Sequence, residues 1–185
     1  MKFFNVIIFL VLALVAFGIY YFIYSKPAMM IGEKAPDIRS ATIDGQIFDL
    51  SQLQGKLVLV DFWGSWCSPC RKVNPELSAL YRSYKDTLHD NFQIVSIAID
   101  DDTSVLRTAI AHDSLVWPLH LMESKSGGPI TAEYKIKEIP TSYLLNESQQ
   151  IIKVNPNMEE LRTILNKFVA VHYSGPNSKV LPPAK

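Results

Sequence analysis

The sequence FWGSWCSPCRK, residues 62–72, contains the two cysteines of the chain, Cys67 and Cys70, with two residues between them. It continues an almost uninterrupted apolar run, LVLVDFW at residues 57–63, which is typical of a parallel β-strand buried on both faces. Proline is favoured in the first turn of a helix, and Pro69 stands between the two cysteines. The pattern therefore predicts a buried strand, a short loop and a helix that begins at the cysteine pair.

Two cysteines at this spacing can hold a metal, close a structural disulfide or exchange electrons. A structural zinc site needs four ligands, and the sequence has no second cysteine pair and no histidines at ligand spacing. A disulfide across two residues closes a very small loop and removes little chain entropy from the unfolded state. We therefore interpret Cys67 and Cys70 as a redox pair, and we expect neither a metal nor another cofactor.

The two cysteines are expected to have different roles. Cys67 lies at the predicted helix N-terminus, where free N–H groups and the helix dipole stabilise a thiolate. Arg71 and Lys72 add positive charge nearby. Cys70 lies one turn inside the helix and is expected to be less exposed. Cys67 is therefore the predicted nucleophile, and Cys70 is the predicted resolving thiol.

Asp61 is a charged residue inside the apolar strand, six residues before Cys67. A buried carboxylate is costly unless it is protonated or has a partner. Perturbed acids concentrate at functional sites, and this one is expected to lie below the sulfur atoms and to accept the proton of Cys70. The alternative is a structural carboxylate that accepts backbone N–H groups at the end of the strand.

The remaining sequence predicts strands alternating with helices, then a hairpin and a closing helix, which indicates a layered α/β domain. Asp44-Gly45 between alternating apolar residues is a further hairpin signal. The elements predicted after the cysteine pair are a helix over 74–88 that Pro75 should kink, strands over 92–99, 116–122, 142–145 and 150–154, and helices over 105–111, 130–134 and 158–169.

Residues 3–24 form an apolar segment without a charged side chain. A helix of this length measures about 33 Å, enough to cross the hydrocarbon core of a bilayer. We interpret it as an uncleaved transmembrane anchor; the alternative is a cleaved signal peptide, but the segment ends in a poor cleavage context. The predicted organisation is an anchor at 1–24, a linker at 25–36, one domain at 37–170 and a loose tail at 171–185.

The overall charge excludes one class of partner. The chain has 18 basic and 18 acidic residues and a formal net charge of zero. Proteins that bind nucleic acids normally carry a basic excess or a basic stripe. We therefore expect no nucleic-acid partner for this chain.

Several of these motifs together resemble the thioredoxin superfamily. They are the sequence Trp-Cys-Ser-Pro-Cys at 66–70, the acid six residues upstream, and Ile139-Pro140-Thr141 before a strand. The hairpin signal, the segment between Asp100 and Gly128 and the N-terminal apolar segment resemble the membrane-anchored TlpA/ResA-type thiol–disulfide oxidoreductases. The resemblance implies a thioredoxin-like fold behind the transmembrane helix, with a central mixed sheet flanked by helices, an N-terminal β-hairpin and a central αβ insertion.

The resemblance also implies further site residues. In that family a cis-proline faces the cysteine pair and the backbone of its neighbour binds the substrate, which carries over to Pro140 and Ile139. Trp66 is expected at the same substrate-docking surface. This sequence departs from its relatives in two respects. Many relatives have a glutamate three residues after the second cysteine, where Val73 stands here, and Ser68-Pro69 lacks the histidine that strongly oxidising relatives have between the cysteines. Asp61 is then the remaining proton carrier.

The implied function is an extracytoplasmic, membrane-anchored reductase of protein disulfides, periplasmic in a Gram-negative cell, which could serve cytochrome c maturation. It would receive electrons from a transmembrane donor protein. Lys2 and Lys26 nearly balance across the anchor, so this orientation comes from the chemistry and not from the flanking charges. A disulfide oxidase or isomerase, a thiol peroxidase and a non-catalytic binding domain are the alternatives; the peroxidase pattern Pro-x-x-x-Thr/Ser-x-x-Cys is missing before either cysteine.

Overall fold

The computed structural model describes residues 2–25 and 29–173 of the chain. Helix α1, Lys2–Ser25, covers the apolar segment at the N-terminus, and the side chains of residues 4–20 are exposed. Across the two described ranges, no helix meets the length and apolarity needed to cross a membrane. The anchor at 1–24 therefore stays a prediction.

A five-stranded mixed sheet forms the centre of the domain, with strand order β5-β4-β3-β6-β7. β3, β4 and β5 are parallel, β6 is antiparallel to β3, and β7 is antiparallel to β6. The central place of β3 explains its continuous apolar sequence, because both of its edges and both of its faces are covered. The strands are β3 Leu57–Trp63, β4 Phe92–Ile99, β5 Leu119–Glu123, β6 Thr141–Leu145 and β7 Ile151–Val154.

Each face of the sheet has its own apolar core. One core joins the sheet to α2, Ser68–Leu88, α3, Thr103–His112, and α5, Met158–Tyr173. The other joins it to the N-terminal hairpin and to α4, Pro129–Glu133. Successive strand residues alternate between the faces, so Leu57, Leu59 and Trp63 of β3 contact the first core and Val58, Val60 and Phe62 the second.

The predicted N-terminal hairpin is present. β1, Arg39–Ala41, pairs antiparallel with β2, Ile47–Asp49. Gly45 has φ of +82°, a conformation that glycine adopts without steric cost, in the turn between them. Thr42 also forms a bridge with Leu121 of β5, which ties the hairpin to the edge of the main sheet.

The predicted αβ insertion is α3 followed by β5, and it adds the edge strand beside β4. β5 begins at Leu119, three residues later than predicted. Pro118 lacks the N–H that a ladder position would use, and Trp117 is buried in the core below the sheet. This aromatic residue therefore belongs to the core packing and not to the strand.

α5 is longer than predicted and continues to Tyr173. The tyrosine ring packs against the core, and its hydroxyl accepts a hydrogen bond from the side-chain amide of Asn91. These contacts extend the helix through 171–173, the first residues of the predicted loose tail. The remainder of the predicted tail, 174–185, lies outside the described residues.

Candidate active site

The cysteine pair lies where the central strand meets its helix. β3 ends at Trp63, and α2 begins at Ser68 with Cys67 as its N-cap residue. The two sulfur atoms form a disulfide, and the backbone N–H of Cys70 donates to the Cys67 Sγ at 3.3 Å. As the sequence predicted, the first sulfur therefore occupies the position where the helix presents its free N–H groups.

The loop before Cys67 is fixed to the end of the neighbouring strand. The Ser65 N–H and hydroxyl each donate to the Asp100 carboxylate at 2.8 Å, and the Trp66 indole N–H donates to the carbonyl of Ile99 at 2.8 Å. Asp100 was not among the predicted site residues. Its place after a buried strand is the signal that could have found it, because β3 and β4 are parallel and end at the same edge of the sheet.

A second unpredicted group surrounds the start of α2. The Arg71 guanidinium pairs with the buried carboxylate of Asp113 and donates to the carbonyl of Ser65 at 3.0 Å. The Asn74 amide donates to the same carboxylate at 2.8 Å. Because Asp113 balances the charge of Arg71, this arginine stabilises a Cys67 thiolate less than the sequence analysis expected.

The electrostatics of Asp113 have two opposing causes. Burial acts to raise its pKa, but the hydrogen bonds from Arg71, Asn74 and His112 outweigh burial and hold the pKa below its usual range. The carboxylate is therefore ionised at neutral pH. Sequence reasoning could not find this residue, because an aspartate just after a helix has no pattern that relates it to an arginine 42 residues earlier.

Asp61 lies on the face of the sheet that carries the cysteines. It lies two residues from both Leu59 and Trp63, so it shares their face of the strand, and these two residues belong to the same buried core as Cys67 and Cys70. Burial raises the pKa of Asp61 from 3.8 to about 7, although a hydrogen bond from the Ser96 hydroxyl acts to lower it. A carboxyl group with this pKa changes its protonation state near neutral pH, which suits a group that exchanges protons.

Two of the predicted docking residues, Trp66 and Ile139, lie close together at the loop before Cys67. The Ile139–Pro140 peptide bond is cis, as the resemblance implied, and Pro140 is exposed just before β6. A Cβ added to Gly64 would lie 2.9 Å from the Trp66 Nε1 and 3.3 Å from the Ile139 Cδ1. Glycine at this position therefore allows both side chains to approach the loop closely.

Trp66 and Ile139 border a cleft of about 620 Å³. Trp66 is 55% exposed, which is unusual for an indole ring in a folded domain and leaves its face accessible to a partner. The other lining residues come from β4, the loop before α4, α4 itself and the segment before Pro140, and they are Ile99, Lys125, Ser126, Gly127, Gly128, Thr131, Ala132, Ile136, Lys137 and Glu138.

The sequence profile of the AhpC/TSA family matches residues 31–154. The chain belongs to this family. It is 31% identical over 170 residues to the thiol-disulfide oxidoreductase ResA of Bacillus cereus, an alignment that covers 89% of this chain and 95% of the relative.

Solved structures give the same result. The thioredoxin domain of a thiol-disulfide oxidoreductase from Bacteroides vulgatus superimposes with a TM-score of 0.67 and 29% identity, covering 76% of this chain and 99% of that one. A thiol:disulfide interchange protein from Bacteroides sp. has a TM-score of 0.69 and 28% identity, with coverage of 81% and 97%. The thioredoxin-like fold and the ResA-type resemblance are confirmed, and the Cys-x-x-Cys pair belongs to a thiol–disulfide oxidoreductase.

The raised pKa of Asp61 predicts how stability depends on pH. The folded state binds the Asp61 proton more tightly than the unfolded state does. The stabilisation that this proton gives to the folded state is therefore fully present below about pH 4 and is lost as pH rises through about 7. Asp61→Asn should remove this dependence and raise the free energy of unfolding at about pH 8, by up to about 4 kcal/mol. Denaturant unfolding of the oxidised protein in detergent measures this.

The exposed Asp86→Asn on α2 is the control for the loss of one carboxylate. It should leave the pH dependence of wild type intact. An Asp61→Asn variant whose stability falls with pH as steeply as that of wild type would contradict a raised pKa for Asp61.

The Asp113 network predicts a large loss of stability. Asp113→Ala removes the ion-pair partner of Arg71 and leaves a cavity beside the unpaired guanidinium. This change should lower the free energy of unfolding by about 3–5 kcal/mol. Asp44→Ala breaks the exposed ion pair with Arg107, and it should cost no more than about 1 kcal/mol. Equal effects of the two variants in denaturant unfolding would show that the Asp113 network does not stabilise the start of α2.

Proposed function

We propose that this protein is a membrane-anchored, extracytoplasmic reductase of protein disulfides that acts through Cys67 and Cys70. The observation that carries the proposal is the disulfide at the N-terminus of α2, on the same face of the sheet as the buried Asp61. A helix N-terminus stabilises the thiolate of Cys67, and an acid with a pKa of about 7 can hold the proton of Cys70.

The proposed cycle starts from the dithiol. The Cys67 thiolate attacks one sulfur of a substrate disulfide, so a Cys67–substrate bond forms and the second substrate sulfur leaves as a thiolate. The Asp61 carboxylate then accepts the proton of Cys70, directly or through a water molecule. The Cys70 thiolate attacks Cys67, which forms the intramolecular disulfide and releases the first substrate sulfur. Two electrons pass from the enzyme to the substrate.

The direction follows from the balance of charges around the sulfurs. Oxidants have a strongly stabilised thiolate, which makes their dithiol form favourable. Here the helix N-terminus favours the thiolate, but Asp113 balances Arg71 and the motif contains Ser68-Pro69 without a histidine. An ionised Asp61 also opposes a thiolate on the same face of the sheet. These features support a reductant in which the Cys67 pKa is only moderately below that of a free cysteine.

Substrate docking is assigned to the surface formed by Trp66, Ile139 and Pro140. The exposed indole of Trp66 and the half-buried Ile139 border the same cleft, and Trp66 directly precedes Cys67 in the chain. An extended segment of a substrate protein could lie across this surface, with its backbone along Ile139 and Pro140. The apolar walls of the cleft would contact the side chains that flank the substrate cysteine. The polar groups at the rim would form hydrogen bonds with the backbone of the same residues.

The cellular setting is part of the same proposal. The uncharged apolar sequence of residues 3–24 supports an anchor at residues 1–24, with the catalytic domain outside the cytoplasm, where disulfides form and soluble thiol pools are absent. Reduction there needs electrons from a transmembrane donor protein. The resemblance to ResA-type proteins supports a role in cytochrome c maturation, with an apocytochrome disulfide as the substrate.

Single cysteine variants test the roles of the two thiols. The dithiol protein should reduce insulin disulfides, Cys67→Ser should abolish this activity, and Cys70→Ser should accumulate a mixed disulfide through Cys67. Insulin turbidity and mass spectrometry of the trapped species measure both effects. Faster alkylation of Cys70 than of Cys67 in the reduced wild type would reverse the assignment.

Equilibration with glutathione at known ratios tests the direction of electron flow. We expect a reduction potential of about −220 to −280 mV, on the reducing side of the known range. The expectation follows from the moderate stabilisation of the Cys67 thiolate. A potential near about −120 mV would favour the disulfide oxidase, and strong isomerase activity with scrambled substrate would favour the isomerase.

A further inference from the structure

Four polar side chains form one row across the sheet beneath α2. Asp61 pairs with Ser96 on one side and with Ser142 on the other, and Ser96 pairs in turn with His120. Residues paired across neighbouring strands point to the same face. The flanking rows on this face are apolar, with Leu59, Ile94 and Leu144 on one side and Trp63, Ala98 and Met122 on the other.

Two hydrogen bonds connect Trp117 to Asp61 through Ser96, and the donor of each bond is determined by the chemistry of the groups. The Trp117 Nε1 donates to the Ser96 Oγ at 3.0 Å, and the Ser96 Oγ donates to the Asp61 Oδ2 at 3.5 Å. An indole N–H can only donate, so the serine oxygen acts as its acceptor and the single hydroxyl proton remains available for the carboxyl group. Such a bond becomes shorter and stronger when the carboxylate is ionised.

Trp117 is itself held by aromatic contacts on two sides. Its ring meets the edge of Tyr81 at a centroid distance of 5.9 Å and stacks with His120 at 5.6 Å. Both Trp117 and Ser96 are almost completely buried. A rigid, dry environment preserves the direction of the two hydrogen bonds and makes the charge on Asp61 sensitive to them.

We propose that Ser96, oriented by Trp117, is a positioning residue that sets the proton affinity of Asp61 and thereby the pH at which Cys70 resolves the mixed disulfide. The inference rests on the proposed function, because it assumes that Asp61 accepts the Cys70 proton. The Ser96 hydroxyl stabilises the carboxylate form, which is the form that can accept a proton. Without it, Asp61 would be mostly protonated at neutral pH and resolution would be slow.

In the oxidised protein, three titratable neighbours on this face are neutral in the pH range in which Asp61 titrates. Burial lowers the pKa of His120 to about 4, so its ring is neutral where Asp61 titrates. Burial raises the pKa values of Tyr81 and Tyr84 above 10. Further charged or titratable groups packed on this side are Arg71 with its partner Asp113, Asp90 near Tyr81, Arg162 and Tyr173 on α5 and, in the reduced protein, Cys67 and Cys70.

The first measurement follows Asp61 without turnover. The full-length oxidised protein in detergent is titrated, and the Asp61 carboxyl band is isolated by infrared difference against Asp61→Asn. Ser96→Ala should raise the pKa of Asp61 by about one pH unit, and Trp117→Phe should raise it by less. Ser142→Ala is the matched control, because it removes a serine hydroxyl from the other neighbour of Asp61 in the same row.

The second measurement uses the reaction. Reduced protein is mixed with oxidised glutathione, and the decay of the Cys67–glutathione disulfide is followed by rapid acid quench and mass spectrometry across pH. Ser96→Ala should slow this decay up to about tenfold near pH 7, with recovery at higher pH. The decay of the mixed disulfide in Ser142→Ala should match that of wild type at each pH. If the effect of Ser96→Ala came from a general loosening of the sheet, Ser142→Ala would slow the decay as well.

The outcomes separate the two hypotheses. An unchanged Asp61 titration in Ser96→Ala, or an equal shift in Ser142→Ala, would overturn the role of Ser96. A shifted titration with an unshifted decay profile would overturn the proton role of Asp61 in the proposed function, and with it the link from Ser96 to resolution. Parallel shifts in both measurements support the inference.

Discussion

The junction between the end of β3 and the start of α2 is the constraint on which the site depends. A strand that leads directly into a helix places the free N–H groups of the helix at the edge of the sheet, and Cys67 caps them. Hydrogen bonds from Ser65 and Trp66 to the end of β4 hold the loop between the two elements. Arg71 of α2 donates a further hydrogen bond to the carbonyl of Ser65 in this loop. The sulfur atom is therefore positioned by backbone geometry.

Two buried carboxylates near this junction show how environment decides chemistry. Asp113 receives hydrogen bonds from three side chains, and its charge is compensated by an arginine, so it acts as a permanent structural anion. Asp61 receives one long hydrogen bond from Ser96 on an apolar face and has no cation among the causes that shift its pKa. Burial without compensation costs stability, and it gives the second carboxylate a protonation equilibrium near neutral pH.

The sequence predicted what depends on local pattern. β3 and β4 matched their predicted bounds because each is an apolar run with clear ends, and the helix start followed from Pro69 beside a cysteine. Long-range contacts were not predictable. Ser96 resembles any small residue in a buried strand, and Asp113 resembles any surface residue after a helix. Their partners become neighbours only through the register of the sheet and the packing of α3 on α2.

In the proposed cycle, this arrangement couples the transfer of electrons to the transfer of a proton. Reduction of the disulfide places negative charge at Cys67, which the helix N-terminus favours, on the same face as Asp61. In the low-dielectric core a second charge on Asp61 is unfavourable, so forming the thiolate raises the proton affinity of the carboxylate. Formation of the mixed disulfide removes the charge from Cys67 and lowers that proton affinity again, so Asp61 can be ionised when resolution begins. Its carboxylate then accepts the proton of Cys70, and Asp61 can release this proton to solvent once the intramolecular disulfide has formed.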